Sequence, residues 1–509
     1  MPMGISMKKI LSLLSIICII ALLFSGCQKK EAGGGSGTDK FVTVNFAIFG
    51  SPPENDTISG AQGEWNKYLK EKVNANLEIK WIDWSDWSTK YNLMLASGEE
   101  LDLITTSSTW LDLWPNAERG AFMDITEMVE KYAPETYKNV TPEQWEECKF
   151  EGKIIAIPEN ELSATTSHGF AYRGDWAKEA GFLDGLKGFS DVEKYLDYIK
   201  AQKPDIYPWD RGATANEYVT GFMNDNSDAI ELLGVPVFMG KSYSQPYEIF
   251  EPYFSDEFMD FAVMMKKWAD KGFWRKDVLN YSGNSRELFQ AGQTALFQHH
   301  ASTYLGVKTE MEEKLPGSDA KFYGFGESRD NMLAKPITHG TLSIGTNSKN
   351  PERALMVYDL IRNDEKMYRL FNYGREGVNY IINSDGKSDR PEGFDETKHS
   401  YGLSFWSGRR DVFDLPSVRQ WSGWNTVVEK YVALEKTNPY GRFVFKQDAV
   451  VSEFNNIQEI LNRNVPAIAG GVAGDPEKAV QSLQAQLKQA GYDKLLKEVS
   501  EQLKKYGSQ

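Results

Sequence analysis

Few residues in this chain of 509 have the spacing that enzymatic chemistry requires. The five histidines are His168, His299, His300, His339 and His399, and none lies in an H-E-x-x-H sequence, so the commonest zinc-protease motif is absent. His299 and His300 are adjacent, and in a strand their side chains would point to opposite faces. We therefore expect no metal site and no cofactor.

The motifs of phosphate binding and nucleophilic catalysis are incomplete as well. Gly240-Lys241-Ser242 and Gly386-Lys387-Ser388 lack the preceding glycine of a P-loop, and no G-x-S-x-G is present. The carboxylates of a glycosidase could be Glu159 and Glu161, but two residues apart they diverge in a strand. Capping, or a hydrogen bond to a ligand hydroxyl, is the favoured interpretation for both.

The composition is that of a globular protein with two to four domains. Apolar residues make up 41% and charged residues 25%, and the mean hydropathy of −0.48 excludes several membrane spans. Lys and Arg number 57 against 72 Asp and Glu, a net charge of −15, which disfavours nucleic acid as a partner.

The N-terminal segment has the layout of a secretory signal. Lys8 and Lys9 precede an apolar run of about 15 residues, which is shorter than the ~20 of a comfortable membrane helix. The run leads through small residues to Cys27, and residues 23–27 resemble a bacterial lipobox. This predicts a lipoprotein signal peptide at 1–26 and lipidation (palmitate) of Cys27; a retained membrane anchor is the alternative.

After cleavage, the cysteine content rules out an internal disulfide framework. Cys18 leaves with the signal and Cys27 carries lipid, so Cys148 is the one remaining thiol. Residues 27–39 contain a Gly/Ser stretch, which predicts a flexible tether between the lipid and the folded body.

Alternating strand and helix patterns follow the tether. Residues 41–49 alternate with a period of two, apolar residues recur at helical spacing from Trp65 to Val73, and residues 77–81 alternate again. Strand, helix and strand in this order predict a parallel α/β sheet. Ligands of such sheets bind beyond the carboxyl ends of the strands, here the loops 50–56, 83–86 and 106–110.

Two later strings are typical of one protein family. Residues 346–354 and 371–380, the latter with Tyr373, Gly374, Gly377 and Tyr380, resemble the extracellular solute-binding lipoproteins of bacterial ABC importers. The chain is most similar to the Gram-positive branch that takes up carbohydrates. Further matching strings are residues 92–102, 152–158, 169–176 and 490–493.

The resemblance implies an α/β, two-lobe periplasmic-binding-protein-like fold whose discontinuous lobes close about a hinge. One lobe would contain 40–160 and 341–385, and the other 161–340 and 386–509. It further implies a monomer that captures a carbohydrate, delivers it to the importer's membrane subunits at the outer face of the cell membrane, and catalyses nothing.

A sugar-binding cleft needs aromatic platforms and planar polar groups. The platform candidates are Trp84, Trp110, Tyr172, Trp209, Trp406 and Trp424. The polar candidates are Asp83, Asn160, Glu161, Arg173, Gln298, His299 and His339. Three alternatives stay open: a peptide or other polar solute, a secreted glycan-degrading enzyme, and presentation of the solute to a sensor kinase.

Overall fold

The computed structural model describes residues 40–52, 55–85, 87–161, 167–212, 216–403 and 405–508. The predicted signal peptide, Cys27 and the tether lie outside these residues. The compact body begins at Val42 and continues to the end of the chain. None of its described helices combines the length and the apolar character needed to cross a membrane.

Strands and helices alternate along the body. The strands are β1 Val42–Phe49, β2 Ala75–Ile82, β3 Leu103–Thr106, β4 Lys149–Phe150, β5 Lys153–Ile154, β6 Ile157–Pro158, β7 His168–Tyr172, β8 Ile230–Glu231, β9 Met239–Ser242, β10 Gln245–Phe250, β11 Leu296–His300, β12 Lys321–Gly324, β13 Met332–Leu333, β14 Thr341–Ser343, β15 Ile381–Ile382, β16 Ser388–Asp389 and β17 Glu435–Lys436.

Many of the helices are short. They are α1 Thr57–Val73, α2 Trp87–Ala96, α3 Leu113–Glu118, α4 Val129–Tyr132, α5 Pro134–Asn139, α6 Pro142–Glu147, α7 Gly174–Glu179, α8 Phe189–Gln202, α9 Asn216–Asn226, α10 Asp256–Asp270, α11 Ser285–Gln290, α12 Ala301–Lys314, α13 Pro351–Asn363, α14 Glu365–Tyr373, α15 Glu396–His399, α16 Trp424–Leu434, α17 Val451–Ala469, α18 Pro476–Gln489 and α19 Tyr492–Gly507.

A five-stranded sheet organises the first lobe, in the order β2-β1-β3-β14-β6. Strands β1, β2 and β3 are parallel, and β14 runs antiparallel to both β3 and β6. Its buried residues form one core with the apolar faces of α1, α13 and α14. The fold is therefore α/β and two-lobed, as predicted.

The second lobe has its own core, built around the three-stranded antiparallel sheet β11-β7-β12 and the C-terminal helices α17, α18 and α19. The chain passes from the first core to the second after β6 and returns between β12 and β14. These crossings give each lobe the discontinuous composition that was expected.

One segment departs from the predicted lobe limits. Phe405 lies in the first core, where its ring contacts Phe46 and Phe371 at centroid distances of 5.9 and 5.1 Å. The Tyr358 hydroxyl also donates to the Ser407 carbonyl oxygen at 2.6 Å. Because these apolar and polar contacts fix residues 405–407 on the first lobe, the limit at 385 is too early; the remaining limits stay predictions.

Candidate functional site

The candidate site lies at one edge of the five-stranded sheet. Strands β1, β2, β3 and β6 end at this edge, and β14 begins there, because Thr341 pairs with Thr106 on one side and with Pro158 on the other. The segments that emerge are residues 50–52, 83–85, 107–110, 159–161 and 338–340, which we call the binding edge. It includes the loop positions expected from the parallel-strand pattern.

Three tryptophans cluster at the binding edge and form an aromatic triad of Trp84, Trp110 and Trp406. Their ring centroids are 5.5 Å apart for Trp84 and Trp406, 6.0 Å for Trp84 and Trp110, and 6.3 Å for Trp110 and Trp406. Trp84 is 45% exposed and Trp406 is 41% exposed, which is unusual for such large apolar side chains. The triad is an open apolar surface with its own internal packing.

Neighbouring aromatic residues hold the triad against the core of the first lobe. Phe49, the last residue of β1, is buried and contacts Trp84 at 5.1 Å and Trp110 at 5.0 Å. Trp87, which begins α2, packs edge-on against Trp110 at 5.3 Å. A platform held by such contacts loses little side-chain entropy when a ligand stacks on it.

Polar groups surround the triad. The Asp83 carboxylate accepts hydrogen bonds from the Ser51 hydroxyl and from the Ser85 backbone N–H, the latter at 2.9 Å. These hydrogen bonds hold the pKa of Asp83 well below its usual value. Asp83 is therefore a fixed anionic acceptor beside Trp84.

His339 faces the triad from the loop before β14. Its Nδ1 shares a hydrogen bond of 2.6 Å with the Thr109 hydroxyl, next to Trp110. Burial, and to a smaller extent the charge of Lys335, lowers the pKa of His339 to about 3, so its imidazole is neutral near pH 7.

Asn160 and Glu161 lie at the binding edge but bind other protein groups. The Asn160 amide donates to the Asn139 carbonyl oxygen at 2.7 Å, and its own oxygen accepts from Arg362. Glu161 accepts hydrogen bonds from Arg410 at 2.8 Å and from the Asp411 N–H at 3.0 Å. Both residues thus position the edge, and whether they also contact solute stays a prediction.

Two platform candidates are inaccessible in this structure. Tyr172 is 2% exposed and its hydroxyl accepts from the Leu186 N–H at 3.1 Å, while Trp209 is 2% exposed and packs against Phe170 and Trp274. The prediction that these rings form platforms is wrong for this conformation, because both fill the core of the second lobe.

Arg173 and Trp424 also lie away from the triad. The Arg173 guanidinium forms a bidentate pair with Asp175, at 2.9 and 2.5 Å, and stacks on Trp176. Trp424 begins α16 and packs, partly buried, against a small core that includes Tyr304. The structure does not bring either residue together with the triad.

His299 and Gln298 belong to the end of the second sheet, where β7 begins and β11 ends. The imidazoles of His168, His299 and His300 form a cluster there, with centroid distances of 4.3–6.1 Å. The side-chain amide nitrogen of Gln298 donates to Nδ1 of His168 at 2.8 Å. Burial is the main reason why the pKa values of His168 and His300 lie well below the usual value, and neighbouring charges, that of His339 among them, act in the same direction.

In the described parts of the chain, the histidine cluster included, no group of three or more His, Cys, Asp or Glu side chains is arranged to hold a metal ion. Burial lowers the pKa of His299 to about 4, and its Nδ1 is buried without a hydrogen-bond partner among the described residues.

A two-lobed α/β fold with a candidate site at one edge of its sheet is typical of solute-binding receptors. The family model described as bacterial extracellular solute-binding protein matches residues 51–366, and the chain belongs to this family. A second model, a domain of unknown function termed DUF3502, matches residues 439–508.

Individual relatives match 72–94% of the chain. A carbohydrate ABC transporter substrate-binding protein of Streptococcus pneumoniae is 26% identical over 484 residues, 94% of this chain and 93% of that protein. Lipoprotein LipO of Bacillus subtilis is 21% identical over 393 residues, 72% of each chain. The solved complex of the N-glycan transport solute binding protein NgtS of Streptococcus pneumoniae with Man1GlcNAc gives a TM-score of 0.73 at 21% identity and covers 92% of this chain and 100% of that one.

Proposed function

We propose that the chain is an extracellular receptor that captures an oligosaccharide between its lobes and delivers it to an ABC importer without chemical change. The aromatic triad carries this proposal. Sugar rings present apolar C–H faces and hydroxyl rims, so a half-exposed indole surface flanked by the fixed acceptor Asp83 matches both parts of a sugar unit. The substrate-binding relative named for carbohydrates and the NgtS complex with Man1GlcNAc support the same class of solute.

A screen of the purified protein against neutral oligosaccharides, peptides and common metabolites tests this function. A ligand at about 100 times its dissociation constant should add roughly 2.7 kcal/mol to stability, which is readily detected as a thermal shift. We expect the shift with an oligosaccharide that is recovered intact. Cleaved sugar would instead show a glycan-degrading enzyme, and a shift with peptides alone would change the solute class.

Membrane attachment is a separate part of the proposal. The lipobox-like residues 23–27 support diacylation of Cys27, and residues 27–39 would form the tether. The receptor is expected to work as a monomer. Cys27→Ala should release the protein from the membrane fraction into the medium, and light scattering of the released protein should give the mass of one chain. Retention of the variant in the membrane would favour an uncleaved anchor.

A further inference from the structure

Glu159 occupies a central position at the binding edge. Its N–H donates to the Gly340 carbonyl oxygen at 2.7 Å, and a Cβ atom placed on Gly340 would lie 2.5 Å from its Oε2. The sheet register puts Ser107 on the other side of Gly340, two strand spacings or about 10 Å from Glu159. The carboxyl group therefore lies over β14, across the edge from the loop that holds Trp110.

The carboxyl group of Glu159 differs from its acidic neighbours in having no hydrogen-bond or ion-pair partner among the described residues. Its oxygens make no hydrogen bond or ion pair with the residues that the structure describes. Glu161 is paired with Arg410, whereas Asp414 and Asp411 are paired with Arg409. Glu159 is partly buried, and its carboxyl group has no partner among the described residues, so it is available for a hydrogen bond with a ligand.

The charged groups around Glu159 have opposite effects on the pKa of its carboxyl group. The guanidinium groups of Arg409 and Arg362 favour its anion, while Asp411 and Glu161 disfavour it. Burial is the largest influence, and the pKa of Glu159 is raised to about 8. At pH 7 the group is thus mostly a neutral acid that both donates and accepts hydrogen bonds.

The nearby cations are already bound. Arg362 donates to the Pro158 carbonyl oxygen at 2.9 Å and to Asn160. Arg409 and Arg410 hold the carboxylates of Asp411, Asp414 and Glu161. A ligand carboxylate at Glu159 would therefore meet four acidic side chains, while Arg409 and Arg410 are paired with carboxylates and the Arg362 side chain is fully buried.

We propose that Glu159 is a specificity-determining residue of the binding edge: its carboxyl group forms hydrogen bonds with a hydroxyl or amide group of an uncharged sugar unit and excludes a unit that carries a carboxylate. The inference rests on the proposed function and adds the charge class of the solute. It also chooses between the two roles that the sequence suggested for Glu159, capping and a hydrogen bond to a ligand hydroxyl.

Binding measurements on wild type and two variants of Glu159 test the proposal. The neutral probes are maltotriose, cellotriose, mannotriose and chitotriose, and the charged probe is trigalacturonic acid, each titrated by calorimetry at pH 7. Glu159→Ala should weaken the tightest neutral probe at least tenfold. Glu159→Gln should keep affinity within about threefold, because the amide also donates and accepts. Wild type should not bind the charged probe.

Gly340→Ala provides an independent perturbation. The backbone at Gly340 has φ −121°, which alanine adopts freely, and the new Cβ would displace the Glu159 carboxyl group without removing it. We expect a loss of affinity similar to that of Glu159→Ala, with no further loss in the double variant. Glu127→Ala, at an exposed carboxylate of the same lobe, is the matched control and should bind as wild type does.

The outcomes separate this inference from the proposed function. If wild type binds no neutral sugar, the proposed function fails and Glu159 loses its assigned role with it. If wild type binds a neutral sugar and Glu159→Ala binds it equally well, only the inference is overturned. Binding of trigalacturonic acid by wild type as tightly as a neutral probe would overturn it as well.

Discussion

The Glu161 carboxylate lies 2.8 Å from the guanidinium of Arg410, and this pair joins two segments that are 249 residues apart in the chain. Glu161 leaves the sheet after β6, and Arg410 follows the short turn that carries Trp406. The side chains are only 12% and 18% exposed, so water screens their interaction weakly. The pair therefore helps to hold the third member of the aromatic triad at the binding edge.

A double-mutant cycle of Glu161→Ala and Arg410→Ala should measure a coupling energy above about 1 kcal/mol, because the pair is largely buried. The exposed pair Lys241 and Glu248, 2.8 Å apart and about half exposed, is the control and should couple by less than about 0.5 kcal/mol. Urea unfolding of the four variants in each cycle gives these energies. Equal coupling in both pairs would contradict a special role for Glu161.

Trp84→Ala and Trp406→Ala should each weaken oligosaccharide binding about tenfold or more, since tenfold corresponds to about 1.4 kcal/mol and burying an aromatic face contributes that much. Stability should fall by less than about 1 kcal/mol, because both rings are more than 40% exposed. Leu183→Ala, at a side chain that is 72% exposed in the second lobe, is the control. Unchanged affinity in both tryptophan variants would remove the triad from the site.

Acid should destabilise the protein through its buried histidines. The pKa of His339 is lowered to about 3 and that of His299 to about 4, so the unfolded chain binds more protons between those values and about 6.5. Stability is thus lost as the pH falls through this window, on the order of 1–2 kcal/mol per histidine at pH 5. Urea unfolding at pH 7 and pH 5 should show a smaller difference for His339→Asn than for wild type. An equal difference would contradict the assignment.

Glu159 should make the protein less stable as the pH rises, which is the opposite of the effect of the buried histidines. Its pKa is raised to about 8, so the folded protein holds this proton between the usual carboxyl pKa and 8 while the unfolded chain releases it. The contribution of Glu159 to stability therefore declines as the pH rises through that window. Glu159→Gln should flatten the stability profile and be the more stable form at pH 8.5. A profile that is unchanged by this substitution would show that the carboxyl group is ionised at neutral pH.

Local patterns were sufficient to predict the sheet of the first lobe. The period-two run at 41–49 corresponds to β1, and the helical spacing from Trp65 to Val73 lies within α1. Loop positions after β2 and β3 then led to Trp84 and Trp110, because parallel strands bring their carboxyl ends to one edge.

Burial was harder to predict than secondary structure. Tyr172 and Trp209 are large aromatic residues like those of the triad, but both are buried in the core of the second lobe. Sequence contains no local signal for such long-range packing. The partnerless carboxyl group of Glu159 was equally invisible, since it depends on where Arg409, Arg410 and Arg362 find other partners.

The turn at Trp406–Gly408 lies in a stretch that neither matched family model includes, between residues 366 and 439. It adds the indole of Trp406 to the aromatic triad. The other two rings, those of Trp84 and Trp110, follow strands β2 and β3, within the residues that the solute-binding family model matches. A graft of residues 401–414 from a homologous receptor would replace that indole and the Arg410 contact while the sheet strands stay unchanged. We expect such a graft to change solute preference without unfolding the lobe, provided that the buried residues Phe405 and Ser407 are kept.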